Sequence, residues 1–217
     1  MLVSAGGTVP CLLVMFSYID PILFPDQLTV VEFTEGQYVY PIHKNASSLI
    51  TGLALQKLNY REIEKLTEID VYVREPFERY VSGVQTWLRF NPEYDRATAL
   101  KFIREFLFLN NHFSLQFHWI VNLARVTEAR VHLRDLNELN LVTDKVWHAV
   151  TRDQTLLEYF HNNTKLHYYL QLDKILYEEL IGQTLTFRQI KQHIKSNHYY
   201  LYQEIIERSQ KICTALD

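Results

Sequence analysis

Glycine is scarce in this chain. Of its 217 residues only six are glycine (Gly6, Gly7, Gly36, Gly52, Gly83 and Gly182), so neither a G-x-G-x-x-G fingerprint nor a complete G-x-x-x-x-G-K-[ST] loop can be written anywhere. Ordinary dinucleotide-binding enzymes and standard nucleotide triphosphatases are thereby excluded. Cysteine is scarcer still. Cys11 and Cys213 stand at opposite ends of the chain, which fits neither a disulfide framework nor a zinc site, and two free thiols are expected. An excess of positive charge is also missing: 22 basic against 25 acidic side chains leave a formal net charge of -3. A broad surface that neutralises nucleic-acid phosphates is therefore not expected, and any anion site must be local. Long hydrophobic runs are absent too. The stretch from Val9 to Phe16 contains Pro10 and is far shorter than the ~20 apolar residues of a spanning helix. No Lys or Arg precedes it, so a secretory n-region is lacking. The expectation is a buried strand there, no membrane span, and a cytoplasmic protein.

What the chain does have is apolar and aromatic residues, with 14 Tyr and 12 Phe and a hydrophobic share of 47%. That is ample for a packed core and excludes disorder. No repeat or linker divides residues 1–217, so one domain is expected. It comprises N-terminal strands and loops over 1–36, an α/β core over 37–140 and a helical C-terminal part over 141–217. In the core, strand-like segments alternate with helical ones. Gln37–Ile42 is a short aromatic and β-branched run, and Leu49, Ile50, Leu53, Leu55 and Leu58 follow near helical spacing. The pattern returns with Ile69–Val73, then Pro76 at the head of a helix through Leu88. Helices over Thr98–Leu109 and His112–Val126 and a strand over Ala129–Leu133 come next. This alternation predicts an α/β fold whose sheet is mainly parallel and covered by helices on both faces.

Two segments carry the chemistry. The first, His43-Lys44-Asn45-Ala46-Ser47-Ser48, sets one lysine and a run of small polar residues between a strand and a helix. Backbone N–H groups in such a loop point outward, the lysine adds a full charge and the serines add hydroxyl donors, which together favour an anion. The second runs from Val71 to Gly83. Arg74 ends a strand and Ser82 lies two turns into the following helix. In an open α/β sheet ligands gather outside the carboxyl ends of the strands, so the two segments should open on one edge. A guanidinium and a serine hydroxyl can there hold a phosphate.

Together these segments resemble the two cofactor motifs of sulfotransferases that use 3′-phosphoadenosine 5′-phosphosulfate (PAPS). HKNASS is similar to the 5′-phosphosulfate loop and VREPFERYVSG to the 3′-phosphate motif, with the family's eight-residue interval from Arg74 to Ser82. The resemblance is closest to the carbohydrate sulfotransferase group, whose second motif reads R-D-P-F-E-R-x-x-S; Glu75 stands here in place of the aspartate. His112-Phe113-Ser114-Leu115-Gln116 is similar to a family segment H-W-x-P-Q, with the tryptophan and proline changed. Weaker likenesses extend the match from about Tyr38 to about Glu179.

The resemblance implies a sulfotransferase that moves a sulfuryl group from PAPS to a hydroxyl acceptor, expected to be a carbohydrate. Lys44, Asn45, Ala46, Ser47 and Ser48 would hold the phosphosulfate, Arg74 and Ser82 the 3′-phosphate. Lys44 would also stabilise the departing phosphate oxygen. PAPS brings about four negative charges near neutral pH. A general base must take the acceptor proton, and imidazole suits this. His112 is the first choice among nine histidines, with His43, His118 and the carboxylates Glu62 and Glu64 as alternatives. His43 should be turned away from Lys44 by the strand pleat. No metal-ligand constellation stands out, and sulfuryl transfer requires no metal. The rival readings are a phosphoryl-transferring kinase with a degenerate phosphate loop and an inactive sulfotransferase-like interaction module.

Overall fold

A computed structural model describes residues 28–106, 112–139, 153–200 and 203. The expected strand at Val9–Phe16 and both cysteines lie outside them. The described chain is α/β, with six strands in one open sheet of order β3-β1-β2-β4-β5-β6. These strands are β1 (Val31–Thr34), β2 (Gln37–Val39), β3 (Gln56–Lys57), β4 (Glu68–Val73), β5 (Arg130–Asp135) and β6 (Thr184–Leu185).

The expectation of a mainly parallel sheet needs correction. The centre is parallel, β2 to β4 and β4 to β5, whereas β1 pairs antiparallel with both β2 and β3, and β6 pairs antiparallel with β5. The sheet is mixed. β1 and β2 form a hairpin across Glu35-Gly36, where Gly36 adopts φ 73°, a left-handed conformation that costs glycine little. The outer strands β3 and β6 have two residues each, too few for a period-two pattern to show in sequence.

Around the sheet lie helices α1 (Ser47–Leu53), α2 (Tyr60–Ile63), α3 (Pro76–Phe90), α4 (Arg96–Phe106) and α5 (Gln116–Leu123). In the C-terminal part α6 (Gln154–His161), α7 (Thr164–Tyr169) and α8 (Gln171–Lys174) lead into a π-helical segment (Ile175–Glu179), β6 and α9 (Phe187–Asn197). Among the described residues the C-terminal part is helical apart from β6 and the connecting turns.

Helix α3 shows why the sequence folds as it does beside the site. Glu75 caps it, its carboxylate accepting from Phe77 N–H at 3.1 Å and Glu78 N–H at 2.6 Å, and Pro76 follows at the first helical position. Tyr80, Val84 and Trp87 recur at helical spacing and are buried. Full burial of such side chains contributes about 1.5–3 kcal/mol each. Asn91 ends the helix before Pro92, which disfavours helical backbone in the residue preceding it.

Helix α5 begins four residues later than the expected start at His112. Leu115, which precedes it, gives no side-chain cap; the cap comes from Asp173, whose carboxylate accepts from Gln116 N–H at 2.8 Å and Phe117 N–H at 2.9 Å. His112 stands in the turn before this helix.

Candidate functional site

The loop after β2 leaves the sheet through an unusual backbone. Lys44 has φ 69° and Ala46 φ 56°, the two positive-φ residues other than glycine among the described residues, with Asn45 between them at negative φ. Such alternation turns successive N–H groups towards one side, the arrangement of an anion-binding nest. The N–H groups of Ala46, Ser47 and Ser48 have no backbone acceptor among the described residues, whereas that of Asn45 donates to Ile42 O at 3.0 Å.

This loop forms one wall of a cavity of about 540 Å³ at the carboxyl ends of β2 and β4. Lys44, Ala46, Ser47 and Ser48 line it from the loop, Arg74 from the end of β4, Ser82 and Thr86 from α3, and His112 from the turn before α5. Six of the seven residues expected to hold an anion, and the first-choice histidine, therefore face one space. The expectation for Asn45 needs correction. Its side chain is wholly buried and donates from Nδ2 to Tyr72 O at 2.8 Å and to Gln116 Oε1 at 2.6 Å. It anchors the loop to β4 and does not face the cavity.

Lys44 Nζ donates to Thr86 Oγ1 at 2.6 Å, and that hydroxyl donates to Ser82 O at 2.9 Å. Burial lowers the ammonium to about 8, with repulsion from Arg79 and Arg74 adding to it. Arg74 forms an ion pair with Glu78 at 3.5 Å. Its own peptide unit is clamped by Gln116: Arg74 N–H donates to Gln116 Oε1 and Gln116 Nε2 donates to Arg74 O, both at 2.9 Å.

Behind the cavity lies Arg79, fully buried. Its Nε donates to His43 O at 3.1 Å and its Nη1 to Ser114 O, so one guanidinium ties the Lys44 loop to the turn carrying His112. Burial lowers its pKa to about 10, and the Asp173 carboxylate opposes that fall. A cation held this way adds positive potential to the cavity without lining it.

His112 and His43 face each other with ring centroids 5.7 Å apart, and His43 lies 4.8 Å from the Trp119 ring. The expected turning of His43 away from Lys44 does not occur, because β2 ends at Val39 and no pleat reaches His43; both residues line the cavity. Burial is the main cause that lowers both imidazoles to about 4. Repulsion from the neighbouring cations contributes in each case. Of the alternative bases only His43 lines the cavity, and the other three are placed elsewhere. His118 is buried, Glu62 closes a capping box with Asn59 at the start of α2, and neither these nor Glu64 line the cavity.

Gly83 makes the His112 turn possible. A Cβ there would lie 2.2 Å from His112 O and 2.6 Å from Phe113 Cβ, so only glycine lets α3 and this turn approach so closely.

Sequence reasoning missed Thr86, Arg79, Asp173 and the clamping role of Gln116. Thr86 had a signal, standing one helical turn after Ser82 on the same face. Asp173 and Gln116 act across 57 positions, where no local pattern exists.

Comparison with protein-family models, with curated proteins and with solved structures finds no match for this chain.

Proposed function

We propose that the protein is a PAPS-dependent sulfotransferase with a hydroxyl acceptor, of which a carbohydrate is the class the sequence resemblance favours. The observation that carries this reading is the convergence of Lys44, Ser47, Ser48, Arg74, Ser82 and His112 on one cavity at the carboxyl ends of adjacent parallel strands. Two segments named from sequence as separate halves of a nucleotide site share one space, and that space is large enough for a nucleotide. The parallel centre of the sheet, with the loop after β2 and the turn after β4 on one edge, supports a sulfotransferase-like architecture. Among the described residues, no helix is long and apolar enough to cross a membrane.

The residues fit the ligand's charge. Ser47 and Ser48 with the free N–H groups of the loop would hold the phosphosulfate, and Arg74 and Ser82 the 3′-phosphate. PAPS supplies an activated sulfuryl group whose S–O bond to phosphate breaks as the acceptor oxygen bonds to sulfur. Lys44 stands where it can stabilise the phosphate oxygen left behind. His112, which lines the same cavity, would take the acceptor proton. Burial first, then Lys44 and Arg79, hold its basicity down, so an anion beside Lys44 would raise it towards the range useful for a base.

The test is calorimetric titration with adenosine 3′,5′-bisphosphate, followed by transfer of labelled sulfate from PAPS to a carbohydrate panel. Saturable bisphosphate binding lost in Arg74→Ala, and transfer lost in Lys44→Ala, are the expected results. No bisphosphate binding overturns the proposal. A larger thermal shift with ATP and Mg²⁺ than with the bisphosphate points instead to a kinase.

A further inference from the structure

Well outside the residues that line the cavity, three side chains of the C-terminal part converge. Glu179 ends the π-helical segment, and His193 and His198 come from the last turns of α9 and its C-cap. His193 Nε2 lies 2.7 Å from Glu179 Oε2, and His198 Nε2 lies 3.0 Å from Glu179 Oε1. The three ligand atoms are all within 4.8 Å of one another.

Two backbone irregularities create this meeting. Residues five apart on an uninterrupted α-helix are separated by about 140° around the axis and do not share a ligand. His198 escapes that limit because it leaves the helix, with φ -139° and ψ 42°, while its N–H still donates to Ile194 O at 2.8 Å. On the other side, the chain widens from α8 into a π-helix over Ile175–Glu179. Such a departure from α-helical winding shifts which face a side chain occupies and is frequent at functional sites. Both departures end on the same three residues.

We propose that Glu179, His193 and His198 form a binding site for one borderline divalent transition ion of the zinc type. Two imidazole nitrogens and one carboxylate oxygen are the donor set such ions prefer over magnesium or calcium, which take oxygen. Metal–ligand bonds of about 2.0–2.2 Å place tetrahedral ligand atoms about 3.3 Å apart. The two His–Glu separations run to the two different oxygens of Glu179 and fall about 0.3–0.6 Å short of that spacing, so admitting the ion widens both. With three protein ligands and Glu179 exposed, a fourth position stays open to water. The ion would fasten the last turn of α9 to the π-helical segment and so clip the chain across β6.

The experiment uses the full chain, stripped with a chelator and titrated with Zn²⁺ alone. One equivalent is expected to bind, with a Tm rise of about 5–10 °C at 100 times the dissociation constant. Cobalt(II) should give the intense visible absorption of four-coordinate geometry, and Mg²⁺ should leave Tm unchanged. In the double variant His193→Ala/His198→Ala zinc affinity should fall about 100-fold or more, and Glu179→Gln, which keeps a hydrogen-bond acceptor, should weaken binding about tenfold or more. Were the double variant not to fold, Glu179→Gln decides alone. Absence of saturable zinc binding, or binding undiminished in the variants, overturns the site and leaves an ion pair between Glu179 and its two histidines.

Discussion

The Lys44 ammonium donates to the Thr86 hydroxyl at 2.6 Å, joining two residues 42 positions apart at the wall of the cavity. This bond gives a partly buried cation a single neutral partner. Its charge is therefore only partly compensated, and the ammonium is lowered to about 8 by burial and by Arg79 and Arg74. An anion entering the cavity supplies the missing compensation. Binding of adenosine 3′,5′-bisphosphate above pH 8 should take up a proton, because the free protein has begun to lose the one on Lys44. Calorimetry at pH 8.5 in buffers of different ionisation enthalpy measures that uptake. It should vanish in Lys44→Met, whereas Thr86→Val should retain it.

The paired imidazoles set a second pH dependence. His43 and His112 titrate near 4 in the folded protein against about 6.5 when unfolded. Between those values the unfolded chain binds more protons, so stability rises with pH across the window and falls as pH drops from 6.5 to 4. The loss is at most on the order of 3 kcal/mol for each ring. Urea midpoints measured from pH 7 to 4 should show this decline, and His112→Gln should make it shallower.

Gly83 and Gly52 offer a contrast within one protein. A Cβ at Gly83 meets the backbone of His112, whereas one at Gly52, in α1, meets nothing within 4 Å. Gly83→Ala should cost about 1–3 kcal/mol through overpacking and, by displacing His112, should also depress any transfer activity. Gly52→Ala should gain about 0.5–1 kcal/mol from helix propensity. Chemical denaturation of the two variants beside the parent gives both signs.

Gln116 is the keystone between β4 and α5. Its Oε1 accepts from both Asn45 and the Arg74 peptide, and its Nε2 donates to Arg74 O. Removing the amide in Gln116→Ala leaves the Arg74 N–H and C=O without their partner, while Asn45 Nδ2 keeps Tyr72 O, which should cost about 2–4 kcal/mol. Bisphosphate affinity should fall with it, since the Arg74 peptide loses its clamp. Gln116→Glu keeps the acceptor and loses the donor, so its stability should lie between the two.

The parts of this site legible in sequence are those written within one strand–loop–helix unit. Arg74 and Ser82 sit eight residues apart where a strand ends and a helix runs on, and Lys44 to Ala46 fall between β2 and α1, with Ser47 and Ser48 opening α1. Periodicity and cap chemistry act over such distances. Asn45, expected to offer its N–H to the anion with those of its neighbours, instead donates it to Ile42 O, because composition says which residues occupy a loop and is silent on where each N–H turns once φ alternates in sign. His43 was misread because a pleat was extended past the end of its strand. The start of α5 was placed early because its cap is Asp173, far along the chain. The edges of the sheet were illegible because two residues carry no period.

That distant cap has a consequence for the order in which the protein is made. Asp173 emerges in synthesis 57 positions after the Gln116 N–H it binds, long after the loop after β2 and the turn after β4 that line the cavity have been extruded. Contacts of such separation close late, after the entropy of the intervening loop has been overcome. The nascent chain can therefore assemble β2, β4 and α3 while the head of α5, and with it the turn carrying His112, still waits for its carboxylate. The His112 side of the cavity is the last part to acquire its shape, and chain released before Asp173 would fold around an unfinished wall.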